Sequence, residues 1–127
     1  MQIEVISTDK SPNAIGPYSQ AVRFGNLMFI SGQIPINPKI GEVASGNIKN
    51  QTEQVLENLK NILEAGGSSL QKVLRTTIYL TDIDDYTIVN ETYAQYFESH
   101  PPARSTVQVS RLPRDVLIEI DAIAFRT

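Results

Sequence analysis

Residues 105–126, STVQVSRLPRDVLIEIDAIAFR, read as two alternating strands, Ser105 to Leu112 and Val116 to Arg126, around the turn sequence Pro113-Arg114-Asp115. Ser105, Val107, Val109, Val116, Ile118, Ile120, Ala122 and Ala124 form one apolar side. The opposite side carries Arg104, Thr106, Gln108, Glu119 and Asp121 beside apolar Leu117, Ile123 and Phe125. The first side asks for a cover of helices. The second is half apolar and asks for a cover of its own.

Working outward, Tyr86 to Phe97 shows helical spacing through Val89, Tyr93, Tyr96 and Phe97, with Asp84 as its cap and Pro101-Pro102 after its end. Val73 to Leu80 has the β-branched content of a strand. From Ile48 the positions Val55, Leu59, Ile62 and Leu63 recur at helical spacing, Asn47 caps the start, and Gly66-Gly67 stops the pattern. Ser19 to Phe24 and Leu27 to Gly32 flank Gly25-Asn26, a two-residue connection suited to a tight hairpin. Gln2 to Ile6 forms a short strand, and Asp9 to Tyr18 is a long loop rich in Ser, Pro, Asn and Gly.

The order is therefore βββαβαββ. Two strand-helix-strand crossovers of the usual right-handed sense place both helices on one face of a mixed sheet, an α+β architecture. The other face is left open, and a half-apolar open face predicts homo-oligomerisation.

The 127 residues suit one domain, residues 1–127, and show no repeat or low-complexity stretch. Eleven Lys and Arg against fourteen Asp and Glu give a net charge of -3, which supplies no drive toward nucleic acid or anionic membranes. No apolar run approaches the ~18 residues of a membrane helix, and the first residues carry Glu4 and Asp9 without an export signal, so a cytoplasmic protein is expected. Absence of Cys excludes disulfides and thiolate chemistry, and the lone His100 removes most zinc and haem arrangements. No metal and no cofactor are expected.

If Val107 faces Ile118 in an antiparallel pair, Thr106 faces Glu119, Arg104 faces Asp121, and Arg104 and Glu119 become diagonal neighbours ~7 to 8 Å apart. That spacing leaves room for a small anion on the guanidinium while the carboxylate reaches a water or a proton. The alternative is an interfacial salt bridge from Arg104 to Glu119 or Asp121. Other features carry no chemistry. Gly66-Gly67 ends a helix and opens none, His100 suits a helix-end dipole contact, and the Asn50-Gln51-Thr52 and Asn90-Glu91-Thr92 matches to a glycosylation pattern fall in helices. Tyr18, in the long first loop, is harder to assign to packing.

The chain resembles the RidA family, also known as YjgF/YER057c/UK114, of reactive enamine and imine deaminases, over essentially its full length. The resemblance lies in Ile15-Gly16-Pro17-Tyr18-Ser19-Gln20, Ser31-Gly32-Gln33-Ile34-Pro35, Gly41-Glu42-Val43, Val89-Asn90 with Tyr93, Pro102-Ala103-Arg104-Ser105, Arg111-Leu112-Pro113 and Ile118-Glu119-Ile120-Asp121-Ala122-Ile123-Ala124. It implies a chorismate-mutase-like fold, a homotrimer with sites between subunits, and hydrolysis of 2-aminoacrylate and related 2-imino acids to 2-keto acids and ammonia. By motif position Arg104 would bind the substrate carboxylate and Glu119 would position or activate water. Tyr18, Ser31, Gly32, Tyr86, Asn90 and Thr106 would line the pocket. Thr106 stands where many members have Cys, which rules out an essential thiol. The segment Ser99-His100-Pro101-Pro102 is shorter than in some relatives, which bears on the size of substrate admitted.

The implied chemistry suits these residues. Imine hydrolysis needs an anion anchor, water at C2 and protons for departing ammonia, but no cofactor; a bidentate Arg is such an anchor. Burial in a cleft would raise the Glu119 pKa while Arg104 would lower it. The hydroxyls of Thr106 or Ser31 and amides near Gly32 would orient water. Two other readings are a carboxylate-binding sensor, which needs Arg104 but not Glu119, and an RNA-cleaving translation inhibitor, which the acidic balance disfavours.

Overall fold

The computed structural model describes residues 2–127. Eight strands and two helices follow one another as β1 (Glu4–Ile6), β2 (Ala21–Phe24), β3 (Leu27–Gln33), β4 (Ile36–Asn37), β5 (Glu42–Val43), α1 (Ile48–Ala65), β6 (Val73–Leu80), α2 (Tyr86–Tyr96), β7 (Ala103–Gln108) and β8 (Ile118–Phe125). Six strands form one mixed sheet in the order β1-β2-β3-β8-β6-β7, and β4 and β5 make a separate two-stranded hairpin. The α+β class, the helix cover and the two crossovers are as the pattern requires.

Local chemistry explains the elements. Asn47 caps α1 by accepting from the Asn50 amide at 3.1 Å, and Gly67, at φ +81°, takes the left-handed turn beyond the helix. Val55, Leu56, Leu59, Ile62 and Leu63 form the fully buried stripe of α1, packed on Met28, Ile78, Leu80, Ile118, Ile120 and Ala124 of the sheet. Gly25 at φ +61° closes the β2-β3 hairpin, with Phe24 facing Leu27 across the two-residue turn. Asp84 does not cap α2; Asp85 occupies the cap position, and the Asp82 carboxylate accepts the Asp84 amide in the 3-10 turn before it.

The strands around 105–126 depart from expectation in one consequential way. They are not a hairpin. Strand β7 pairs in parallel with β6 at the sheet edge, while β8 inserts antiparallel between β3 and β6. The polarity of the two strands explains the order. Ile118, Ile120, Ala122 and Ala124 suit a central strand under α1, whereas Arg104, Ser105, Thr106 and Gln108 suit an edge. Residues 109–117 carry the chain past β6, fixed by Val109 N–H to Leu80 O at 2.8 Å, Thr81 N–H to Leu117 O at 3.2 Å, and Leu117 N–H to Gln51 Oε1 at 2.8 Å. Arg114 and Asp115, both left-handed at φ 58° and 56°, turn the chain out of the sheet.

The face assignment of β7 is consequently reversed. Arg104 stands beside Thr76 and Thr106 beside Ile78, on the side covered by helices, and Ser105 and Val107 belong to the open side with Thr77, Tyr79, Glu119 and Asp121. That open face also exposes Val5, Phe24, Leu27 and Phe29.

Candidate active site

At the sheet edge α2 runs across the side chains of β7. Tyr86, Asn90 and Tyr93 lie at i, i+4 and i+7, one stripe of that helix, and Arg104 rises into the stripe. Its Nη2 donates to Tyr86 Oη at 3.0 Å and to Asn90 Oδ1 at 2.8 Å. The guanidinium carbon lies 5.4 Å from the Tyr86 ring centre and 5.0 Å from that of Tyr93. Tyr93 is itself held by a 2.7 Å hydrogen bond with Thr76, and burial pushes its phenol up.

None of these partners is anionic. The ion pairs among the described residues are Arg23–Glu4 and Arg111–Asp115, so the salt-bridge alternative is not realised within the chain. Two residues along β7 on the same face, Thr106 Oγ1 is buried without a hydrogen-bond partner. Among the described residues this is the one buried side-chain polar atom left unsatisfied, and it lies beside a guanidinium with no acidic partner, a pairing of groups suited to a small polar anion.

Glu119 belongs to a second cluster, on the open face. The strand register slips between Ile30 and Gln33, so Ser31 and Gly32 bulge opposite Asp121. The Glu119 carboxylate occupies the space that a side chain at Gly32 would take: a Cβ there would lie 2.1 Å from Glu119 Oε2. Burial, and then the neighbouring Asp121 charge, raise the Glu119 pKa. Within the chain Arg104 lies on the opposite face and does not oppose this shift.

Ser31 Oγ donates to Ser19 O at 2.6 Å, tying the bulge to the end of the first loop. Buried Gln20 holds that loop, its amide donating to the carbonyls of Thr8 and Pro12 at 3.0 and 2.7 Å and its carbonyl accepting the Thr8 amide at 2.7 Å. Tyr18, 53% exposed, accepts from the Ile15 amide at 3.3 Å. With Gly32, Ile15, Pro113 and Arg114 it lines a largely apolar cavity of about 370 Å³.

The structure thus gathers Tyr86, Asn90, Arg104 and Thr106 in one cluster and Tyr18, Ser31, Gly32 and Glu119 in another. The two do not meet. Arg104 and Glu119 leave opposite faces of the sheet with β6 between their strands, which replaces the diagonal contact drawn from a hairpin register. Sequence reasoning missed the parts played by Tyr93 and Gln20. The helical alignment of Tyr93 with Tyr86 and Asn90 was a usable signal; the loop-holding role of Gln20 left none. Among the described residues no group of three or more His, Cys, Asp or Glu is placed to hold a metal.

A mixed sheet under two helices, with a guanidinium that has no acidic partner at its edge and a half-buried carboxylate on its open face, defines the chain as an α+β protein with two polar clusters. Comparison with known proteins gives its family. The family model Endoribonuclease L-PSP matches residues 8–126. A RutC family protein of Pyrococcus horikoshii is 59% identical over 123 residues, 97% of this chain and 98% of that protein. Reactive Intermediate Deaminase A, chloroplastic, of Arabidopsis thaliana is 50% identical over 121 residues, 95% of this chain and 65% of the plant protein. The crystal structure of E. coli TdcF with bound serine superposes with a TM-score of 0.93 at 44% identity, covering 98% of this chain and 99% of that one. The chain belongs to the Endoribonuclease L-PSP family, the RidA/YjgF group that its motifs resemble.

Proposed function

We propose that the protein is a deaminase that hydrolyses reactive enamine and imine intermediates, 2-aminoacrylate, 2-iminopropanoate and 2-iminobutanoate, to 2-keto acids and ammonia. Its sites form between copies of a homotrimer. The observation that carries the reading is the Arg104 cradle, a guanidinium clamped by Tyr86, Asn90 and Tyr93 without an acidic partner. The plant relative's name and the serine bound to TdcF point to ligands of this chemistry.

Arg104 holds the substrate carboxylate, and the Thr106 hydroxyl gains in the complex the partner it lacks alone. Glu119, contributed by the neighbouring copy, accepts a proton from the water that adds to C2 of the imine. The product of addition carries hydroxyl and amino groups on one carbon. Return of the proton from Glu119 to nitrogen completes that product, and relay of the hydroxyl proton through Glu119 to the same nitrogen lets ammonia leave as the C=O bond forms, so imine and water give keto acid and ammonia. A carboxyl held above its ordinary range by burial is suited to both transfers. Tyr18, Ser31 and Gly32 wall the same side as Glu119. The steps are additions and proton transfers, for which no cofactor is invoked.

The name of the family model favours a second reading, RNA cleavage. A net charge of -3 and a cradle closed by three side chains of α2 favour a small acid over a polynucleotide backbone. No helix among the described residues is long and apolar enough to cross a membrane, and we place the activity in the cytoplasm. Coupling the protein to a Ser or Thr dehydratase tests the assignment: keto acid should form faster than by spontaneous hydrolysis, and Arg104→Ala should remove the acceleration. No acceleration over the spontaneous rate would refute it.

A further inference from the structure

Glu119 is not alone on its patch of the open face. Asp121 follows it on the same side of β8, and Tyr79 faces Glu119 across the β6-β8 pairing. The Tyr79 hydroxyl reaches diagonally to donate to Asp121 Oδ2 at 2.9 Å. Of two carboxylates about 7 Å apart along one strand face, one is therefore anchored by a phenol. The other, Glu119, accepts no hydrogen bond among the described residues and lies against the Gly32 backbone.

We propose that Asp121, anchored by Tyr79, is a positioning residue for Glu119: it fixes a negative charge beside the water-activating carboxylate and so sets the pH at which Glu119 takes up its proton. The inference rests on the deaminase reading and deepens it. The phenol holds the Asp121 carboxylate in place on the strand face beside Glu119, which has no such anchor. The phenol stays a donor, because the Asp121 hydrogen bond, followed by burial, raises its pKa.

Other charges on the surrounding elements do not take over this role. Arg75 of β6 donates to Ser105 Oγ of β7 at 2.7 Å, away from Glu119. Facing residues of β3 are Ser31 and Gly32, and those of β7 are Ser105 and Val107, all uncharged. Arg114, in the turn before β8, lines the cavity that Gly32 borders and donates to Gly41 O at 3.3 Å.

The test is the pH profile of kcat/KM in the dehydratase-coupled assay for the full chain and its Asp121→Asn, Asp121→Glu, Tyr79→Phe and Glu119→Gln variants. Asp121→Asn should move the acidic limb down by roughly half a unit to one unit with KM little changed. Tyr79→Phe should move it the same way by less, and Asp121→Glu, which keeps the charge, should return it toward the parent. A merely structural role lowers activity without moving the limb. An unmoved limb in both Asp121→Asn and Tyr79→Phe, with Glu119→Gln inactive, overturns this inference and leaves the deaminase reading standing. Should Asp121→Asn fail to fold, Tyr79→Phe decides alone. Full activity of Glu119→Gln with an unchanged profile overturns both.

Discussion

Mixing two inactive variants should restore activity. In one copy, β7 and β8 are separated by β6, a lateral distance of about 10 Å at ~4.8 Å per strand, and the Arg104 and Glu119 side chains leave opposite faces. On the deaminase reading, a substrate a few ångströms long cannot touch both within a single chain, and a complete site would draw Arg104 from one copy and Glu119 from another. Glu119→Gln removes a general base, a loss of ~100- to 10,000-fold. Arg104→Ala removes charged hydrogen bonds of ~1.5 to 3 kcal/mol, or roughly 10- to 150-fold. If the two variants are unfolded together in equal amounts and refolded, random assembly into a closed ring puts an intact Arg104 opposite an intact Glu119 at about one quarter of the sites. Keto-acid formation per chain should rise from the parental background to about a quarter of wild type. The converse mixture, wild type with the double variant, should fall to about a quarter under shared sites and only to about a half under sites within one chain. Complementation no better than the mean of the parents, with the converse mixture at a half, would refute the shared site.

Three further outcomes follow from single contacts. Thr106→Val removes a buried hydroxyl that has no partner in the free protein, so thermal unfolding should stay level or rise while turnover falls on the order of 2- to 10-fold, the value of one hydrogen bond to the reacting species. Gly32→Ala would place a Cβ 2.1 Å from Glu119 Oε2; the carboxylate must move, and kcat should drop at least tenfold with far-UV circular dichroism unchanged. Because the folded Glu119 pKa is raised by burial and Asp121, its contribution to stability is fully present below the unfolded carboxyl value, about 4, and is lost as pH rises through the folded value. Glu119→Gln should therefore unfold at a higher temperature than wild type at pH 7, and the difference should vanish below pH ~4; equal melting at both pH values would contradict it.

Most elements were legible because each carries its own chemistry. The Asn47 cap, the stripe from Val55 to Leu63 and the glycine stop bound α1 to within a residue, and Gly25-Asn26 bound the β2-β3 hairpin. The β4-β5 hairpin escaped notice because two-residue strands hold too little alternation to read. Neighbour order was the harder quantity. Closeness in sequence favoured β7 as the partner of β8, although a strand bearing Arg104, Ser105, Thr106 and Gln108 belongs at an edge and one bearing Ile118, Ile120, Ala122 and Ala124 belongs between neighbours.

That error moved the site as well as the strand. With β7 parallel to β6, an arginine and a threonine point under α2 at positions where the core pattern of β6 and β8 supplies Thr76, Ile78, Ala122 and Ile120. Placing a guanidinium and an unpaired hydroxyl on the helix-covered side is a local cost to folding that packing does not explain. Tyr86, Asn90 and Tyr93 reduce the cost for Arg104 without neutralising it, and nothing reduces it for Thr106. Groups left in that condition gain most from a ligand that brings one negative charge and one acceptor together. In the deaminase we propose, a 2-imino carboxylate does so, with its reacting carbon facing the copy that carries Glu119.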